Sequence, residues 1–422
     1  MKQVQTRPPI YANVKIPGSK SVSHRALIAA GLAEGLSLLK DLLICDDTLY
    51  TVNALRQLGI GIALKGNCAE VSGVGGRFFS SDRRKEIFLG NSGTSFRLLL
   101  STAALSRGEY IFTGTQRMHE RPIGGLVTAL AQMDVKVSWP DKKGYPPVLI
   151  QAQGIPGGKV IIPGNQSSQF VSSLLLAGPY ARKDIEIEVN GHMVSRPYVD
   201  LTLGVMERFG VSVIREDYRY FRIPSGRKYR SCRFTVEGDA SSASYFWAAA
   251  AVTGGTIITH NINPKATHQG DIRFLEILGK MGCRIESGSS QVAVNGRSLC
   301  GIDADMNTIP DMVPTLAAVA LFARGKTVIR NVSHLRHKES DRLKAIALEW
   351  NRLGSRIEEL PDGLIIHGSQ KLNGTMVESH EDHRLAMALA VIGLNVPGVK
   401  IKNEDCVNKS FPRFWNLWDT LR

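Results

Sequence analysis

The sequence has no pair of cysteines at C-x-x-C spacing. Its six cysteines, Cys45, Cys68, Cys232, Cys283, Cys300 and Cys406, are scattered over 422 residues. This excludes a cysteine-built zinc ribbon and argues against a disulfide framework; reduced thiols in a cytoplasm fit better. Long apolar runs are also missing. A stretch such as 245-YFWAAAAV-252 is far shorter than the roughly 20 residues needed to span a bilayer. The opening MKQVQTRPPIYANV has no apolar core of a signal peptide. The expectation is a cytoplasmic protein with no membrane partner. Absent, too, is a basic stripe interleaved with aromatics. The net charge is +14, from 52 Lys and Arg against 38 Asp and Glu. Yet the one dense patch, 215-REDYRYFRIPSGRKYR-230, is broken by acids and a Pro-Ser-Gly turn. A nucleic-acid partner is therefore disfavoured, and a concave site for small, highly charged substrates accounts for the excess.

A chain of this length is expected to divide into two domains, and 43% hydrophobic with 21% charged residues suits a globular protein. An internal period organises it. The segments 54-ALRQLGIGI, 129-ALAQMDVKV, 205-VMERFGVSV, 276-EILGKMGCRI and 348-LEWNRLGSRI each read as a helix end, a turn residue and an alternating strand. The turn residues fall at 59, 134, 210, 282 and 354. A sixth copy breaks off in 411-FPRFWNLWDTLR-422, and 11-YANVKIPG-18 is the candidate for its missing strand. In phase with this series, apolar helices follow PGSKSVSHR, LGNSGTSFR, PGNQSSQF, EGDASSASYF, IPDMVPT and ESHEDHRLAM. Six units with two strand–helix passages each imply an α/β architecture, divided three and three near residues 17 and 238.

The polar residues sit at the helix starts. In 17-PGSKSVSHRALIAAGL-32, Ser19 or Ser21 could serve as a cap. Lys20 and Arg25 oppose the helix dipole unless an anion lies between them, and a helix N-terminus is a natural anion site. Six such starts, if convergent, form an electropositive cleft.

The motifs PGSKSVSHRA, LGNSGTSFR, RMHERPIGGL, SSQF, VSRPY, EGDASSASYF, IPDMVPTLA, HKESDR, DHR and NKSFP, in this order, resemble the signature set of the 5-enolpyruvylshikimate-3-phosphate synthase family. The resemblance implies an inside-out α/β barrel in two domains, each of three βαβαββ repeats with pseudo-three-fold symmetry, closing over substrates like a clamp. Residues 18–237 would form the shikimate 3-phosphate side. Residues 1–17 and 238–422 would form the phosphoenolpyruvate and acid–base side. It further implies a monomer that transfers the enolpyruvyl group of phosphoenolpyruvate to the 5-hydroxyl of shikimate 3-phosphate, without cofactor or metal.

On matching positions the resemblance implies that Lys20, Ser21 and Arg25 meet the acidic groups of the substrates, Arg25 pairing the shikimate carboxylate as its forked guanidinium allows. Ser167, Ser168 and Ser195 would hold the shikimate phosphate with Lys338, while Gln169 lies between the substrates and Tyr198 flanks the ring. Arg121, Arg342 and Arg384 would converge on phosphoenolpyruvate, with Lys409 near its phosphate and Asn91 to Gly93 as a backbone wall. Asp311 would engage the attacking hydroxyl and Glu339 exchange the proton at C3, with Lys20 and Lys409 also in the reacting centre. Each has a plainer reading: HKESDR as an exposed helix start, Asp311 as a first-turn acid, Ser167 and Ser168 as caps, Gly93 as turn relief. Histidines 334, 337, 380 and 383 lack the pattern of a metal motif.

Three positions depart from the family pattern. His334 stands where Asn is common and would bring a titrating imidazole to the shikimate 3-phosphate side. Ser92 and Leu98 replace the more frequent Ala and Pro beside the phosphoenolpyruvate pocket. The sister activity, enolpyruvyl transfer to UDP-N-acetylglucosamine, is disfavoured because Lys20 is followed by Ser and 114-GTQRMHERP-122 contains no Cys.

Overall fold

The structure, a computed structural model, describes residues 1–78 and 81–422. The turn residues read from the period terminate helices as expected. Gly59, Asp134, Gly210, Gly282 and Gly354 all have positive φ, between 59° and 118°. A left-handed residue just past a helix lets the chain leave the helix and enter a strand, and Gly adopts it without steric cost.

The small sheets share one plan: a parallel pair, then two antiparallel neighbours, of which the sixth sheet has only one. In the first repeat, Arg233–Thr235 pairs parallel with Glu34–Lys40, which is followed by Cys68–Val74 and Gly61–Lys65. Among the described residues five sheets have four strands and one has three. Two strands are exchanged in sequence. Tyr11–Lys15 runs parallel to Thr256–His260 in the fourth repeat, so it does not complete the sixth copy, contrary to the expectation from the sequence. The strand that completes the sixth sheet is Lys2–Gln3, antiparallel to Lys400–Lys402.

The chain separates into two compact units, Gly18–Val236 and Met1–Pro17 with Glu237–Arg422. Glu237 belongs with the latter, where its carboxylate accepts from Thr267 Oγ1 at 2.7 Å. Each unit has its own apolar core. In the first unit the helices Lys20–Leu32, Gly93–Ala104 and Ser168–Ala177 pack on one another, and in the second Ala240–Thr253, Val313–Ala320 and His383–Gly393 do the same. These helices are buried almost all round, as apolar sequence on every face requires. Their starts carry the polar motifs.

Candidate active site

Within the first unit, Lys20 opens its helix without a side-chain cap, so the capping reading of Ser19 does not hold. Lys20 Nζ lies 3.0 Å from Asp47 Oδ2. Asp47 also accepts, through its carbonyl, from Ser95 Oγ at 3.0 Å, which ties the start of Asp46–Gln57 to the helix that follows the Asn91 wall. Arg25 is fully buried. Its Nε donates to Thr202 Oγ1 at 2.7 Å, and its terminal nitrogens donate to the carbonyls of Ser21 and Tyr198 at 2.8 and 3.2 Å. Among the described residues no carboxylate pairs with it, and burial pulls its pKa down to about 10. A buried cation with only neutral partners is costly until an anion arrives.

Arg121, also buried, donates from Nη1 to the carbonyl and side-chain oxygen of Asn91 at 2.9 and 3.0 Å. Gly93 is needed for this approach, not for a turn: a Cβ there would lie 2.5 Å from Arg121 Nη2. Ser167 does cap Ser168–Ala177, accepting from Gln169 N at 3.3 Å, and Ser168 is buried beside it. Gln169 is clamped between Arg97 Nη1 at 3.0 Å and Thr94 Oγ1 at 3.0 Å. Ser195 has φ of 54° and precedes the helix Pro197–Arg208, which carries Tyr198. Arg97, which holds Gln169, closes the motif LGNSGTSFR but was not singled out in the sequence; its signal is a cation in the first turn and a half of a buried helix.

Within the second unit, the helix Arg342–Arg352 begins with a buried guanidinium that binds three carboxylates. Arg342 Nη1 donates to Asp311 at 2.9 Å, Nη2 to Glu339 at 2.9 Å, and Nε to Asp382 at 2.8 Å. Arg384 Nη2 reaches the other oxygen of Asp311 at 2.8 Å, and Lys338 Nζ lies 3.7 Å from Asp311. Lys409 Nζ is 4.0 Å from Glu339. HKESDR is therefore no exposed charged helix start. Burial alone would raise the Asp311 carboxyl, but Arg384, Lys338 and Arg342 overrule it and hold it well below the usual range. His334 is pushed down to about 3, by burial first and then by Lys338. Burial and the neighbouring cations thus favour its neutral form in the protein without substrate. The organising carboxylate missed in the sequence is Asp382. It caps His383–Gly393 through Arg384 N at 3.0 Å and accepts from Ser340 Oγ at 3.2 Å as well as from Arg342. Among the described residues no cluster of three or more His, Cys, Asp or Glu is arranged to hold a metal ion. No helix among them is long and apolar enough to cross a membrane.

Two units of repeated parallel–antiparallel sheets around buried helices, with arginines and lysines near the helix starts and three carboxylates on one guanidinium, fit a transferase of small anionic substrates. The chain belongs to the EPSP synthase (3-phosphoshikimate 1-carboxyvinyltransferase) family, whose model matches residues 4–418. It is 45% identical over 410 residues to the 3-phosphoshikimate 1-carboxyvinyltransferase of Vibrio atlanticus, covering 96% of each chain. It is 43% identical over 414 residues to that of a Sulfurovum species, covering 98% of this chain and 97% of the relative. The solved EPSP synthase of Acinetobacter baumannii superposes with a TM-score of 0.82 at 29% identity, covering 99% of this chain and 97% of that one.

Proposed function

We propose that this chain transfers the enolpyruvyl group of phosphoenolpyruvate to the 5-hydroxyl of shikimate 3-phosphate and releases phosphate, a step in the shikimate pathway to aromatic amino acids. One observation carries the assignment of roles: the buried Arg342 holds Asp311 and Glu339, the two carboxylates needed for proton transfer, at 2.9 Å each. The hydroxyl oxygen attacks C2 as Glu339, in its carboxylic-acid form once Arg342 has turned to substrate, gives a proton to C3 and Asp311 receives the hydroxyl proton. In the second half Glu339 takes a proton back from C3, the C2–O bond to phosphate breaks, and the phosphate leaves against Lys409 and Lys20 with the proton that Asp311 had received. Without substrate, Asp311 is too well paired to be a good base. Phosphoenolpyruvate, by drawing Arg342 and Arg384 onto its own anionic groups together with Arg121, removes that pairing and raises the proton affinity of Asp311.

On the shikimate 3-phosphate side, Arg25 gives the ring carboxylate the pairing it lacks in the free protein. Ser21, Ser167, Ser168, Ser195, His334 and Lys338 serve the 3-phosphate, and Gln169 and Tyr198 border the ring. Asn91 and Gly93 form the wall that keeps Arg121 in place. Each of these groups binds or moves protons unaided, so the reading includes no cofactor, and it describes a cytoplasmic monomer without a nucleic-acid partner. The test is phosphate release on mixing the protein with phosphoenolpyruvate and shikimate 3-phosphate. Release that does not need shikimate 3-phosphate, or that proceeds with UDP-N-acetylglucosamine in its place, overturns the proposal.

A further inference from the structure

Aligned on their turn residues, the helix-end segments of the repeats have Ala54, Ala129, Val205, Ile277 and Glu349 at the same place. Four are apolar and packed into their cores. The fifth is a carboxylate, yet only 1% of Glu349 is exposed. The fold does not ask for an acid there, since two sister positions manage with alanine. Glu349 Oε1 receives His380 Nε2 at 3.0 Å, and because a carboxylate only accepts, the imidazole carries its hydrogen on Nε2. Glu349 Oε2 receives the backbone N–H of Glu378 at 2.9 Å and Arg352 Nη1 at 3.2 Å.

These bonds grip the chain just before the Asp382 cap. Between them lie His380 and Glu381, consecutive non-glycine residues with φ of 52° and 55°. L-residues with side chains are disfavoured there and persist where their surroundings over-determine them. At the equivalent distance before its own helix, the second repeat uses Gly90 with φ of 54°. Glu349 lies two helical turns beyond Arg342 on one face, so one helix holds the 378–384 segment at two points, through Glu349 and through the Arg342–Asp382 pair.

We propose that Glu349 is a positioning residue for the phosphoenolpyruvate-side arginines: by fixing the left-handed His380–Glu381 turn it sets Asp382, and through Asp382 the placement of Arg342 and Arg384. The inference rests on the assignment of those arginines to phosphoenolpyruvate. Steady-state kinetics of Glu349→Ala and Glu349→Gln are expected to show a KM for phosphoenolpyruvate raised about tenfold or more. The KM for shikimate 3-phosphate should stay within about twofold, with the protein folded, since alanine is what two sister repeats carry. Adding His380→Gly to Glu349→Ala, which gives the turn the residue type that the second repeat uses, should recover most of that loss. An unchanged KM for phosphoenolpyruvate, or losses spread equally over both substrates and not recovered by glycine, overturns the inference. Arg384→Lys measured alongside separates the two layers. If it spares the KM for phosphoenolpyruvate, the arginine assignment fails; if it raises that KM while Glu349→Ala does not, only the positioning role fails.

Discussion

The guanidinium of Arg121 occupies the space that a side chain at position 93 would need, with Nη2 only 2.5 Å and Cζ 2.7 Å from where a Cβ would stand. At such distances something must shift, and what stands in the way is the end of the Arg121 side chain, so any residue larger than glycine moves the guanidinium from its place beside Asn91. Gly93→Ala is expected to raise the KM for phosphoenolpyruvate, by about tenfold if one charge-assisted contact of roughly 1.5 kcal/mol is lost. Binding of shikimate 3-phosphate should be unaffected. Calorimetric titration of each substrate checks this, and equal weakening of both would show that the wall serves the whole site.

Arg25 provides the complementary case. It is buried with neutral partners only, and its pKa is down to about 10. A ligand carboxylate there gains a charge-assisted pair whose desolvation is already partly met by folding. Arg25→Ala should weaken shikimate 3-phosphate by on the order of 1.5–3 kcal/mol and phosphoenolpyruvate much less. Equal losses measured for the two ligands would show Arg25 to be misassigned.

The legibility of the fold followed from backbone constraints that leave few residue types. The left-handed position after each helix demands Gly or Asp, so residues 59, 134, 210, 282 and 354 stood out. Lys2–Gln3 did not, because two residues carry no alternation, and the longer Tyr11–Lys15 drew the assignment of the sixth strand instead. In the site, Arg342, Asp311 and Glu339 are brought together in the structure. Their organiser Asp382 was hidden because an acid before a helix looks the same whether it merely caps or also binds a buried arginine. Asp47 and Glu349 were hidden likewise: each belongs to a helix whose sequence gives no reason to expect a buried carboxylate.

Asp271 offers a test by pH. It is buried, accepts from Ser241 Oγ, and its pKa is raised to about 6, first by burial and then by Asp311, with Arg384 opposing and Asp239 adding to the rise. An acid whose pKa is higher folded than unfolded, where it is near 3.9, destabilises the fold once it must ionise. That penalty is absent below about pH 4, grows between 4 and 6, and is full above 6. Asp271→Asn keeps an acceptor for Ser241 and removes the charge. It is expected to stabilise the protein by on the order of 1–3 kcal/mol at pH 8, with the gain shrinking as pH falls through 6 towards 4. Urea unfolding at a series of pH values reads this directly, and a gain independent of pH would place the effect in packing instead.

The proton-transfer roles of Glu339 and Asp311 separate because the two acids differ in what their protons do. C3 of phosphoenolpyruvate must gain a proton in the first half of the reaction and lose one in the second, whereas the hydroxyl proton never returns and goes on to the departing phosphate. Glu339, held by Arg342 at 2.9 Å with Lys409 at 4.0 Å, is the candidate for the reversible transfer at C3. Glu339→Gln keeps the shape and one acceptor but cannot carry a proton, so turnover should fall by about 10²–10⁴ while both substrates still bind. Turnover in D₂O with rapid quenching follows deuterium at the C3 methyl group of the tetrahedral intermediate, and Glu339→Gln should slow its appearance in step with turnover. Asp311→Asn should instead slow attack by the hydroxyl. If Glu339→Gln labels C3 and turns over at the wild-type rate, Glu339 only binds, and the proton at C3 travels through another group.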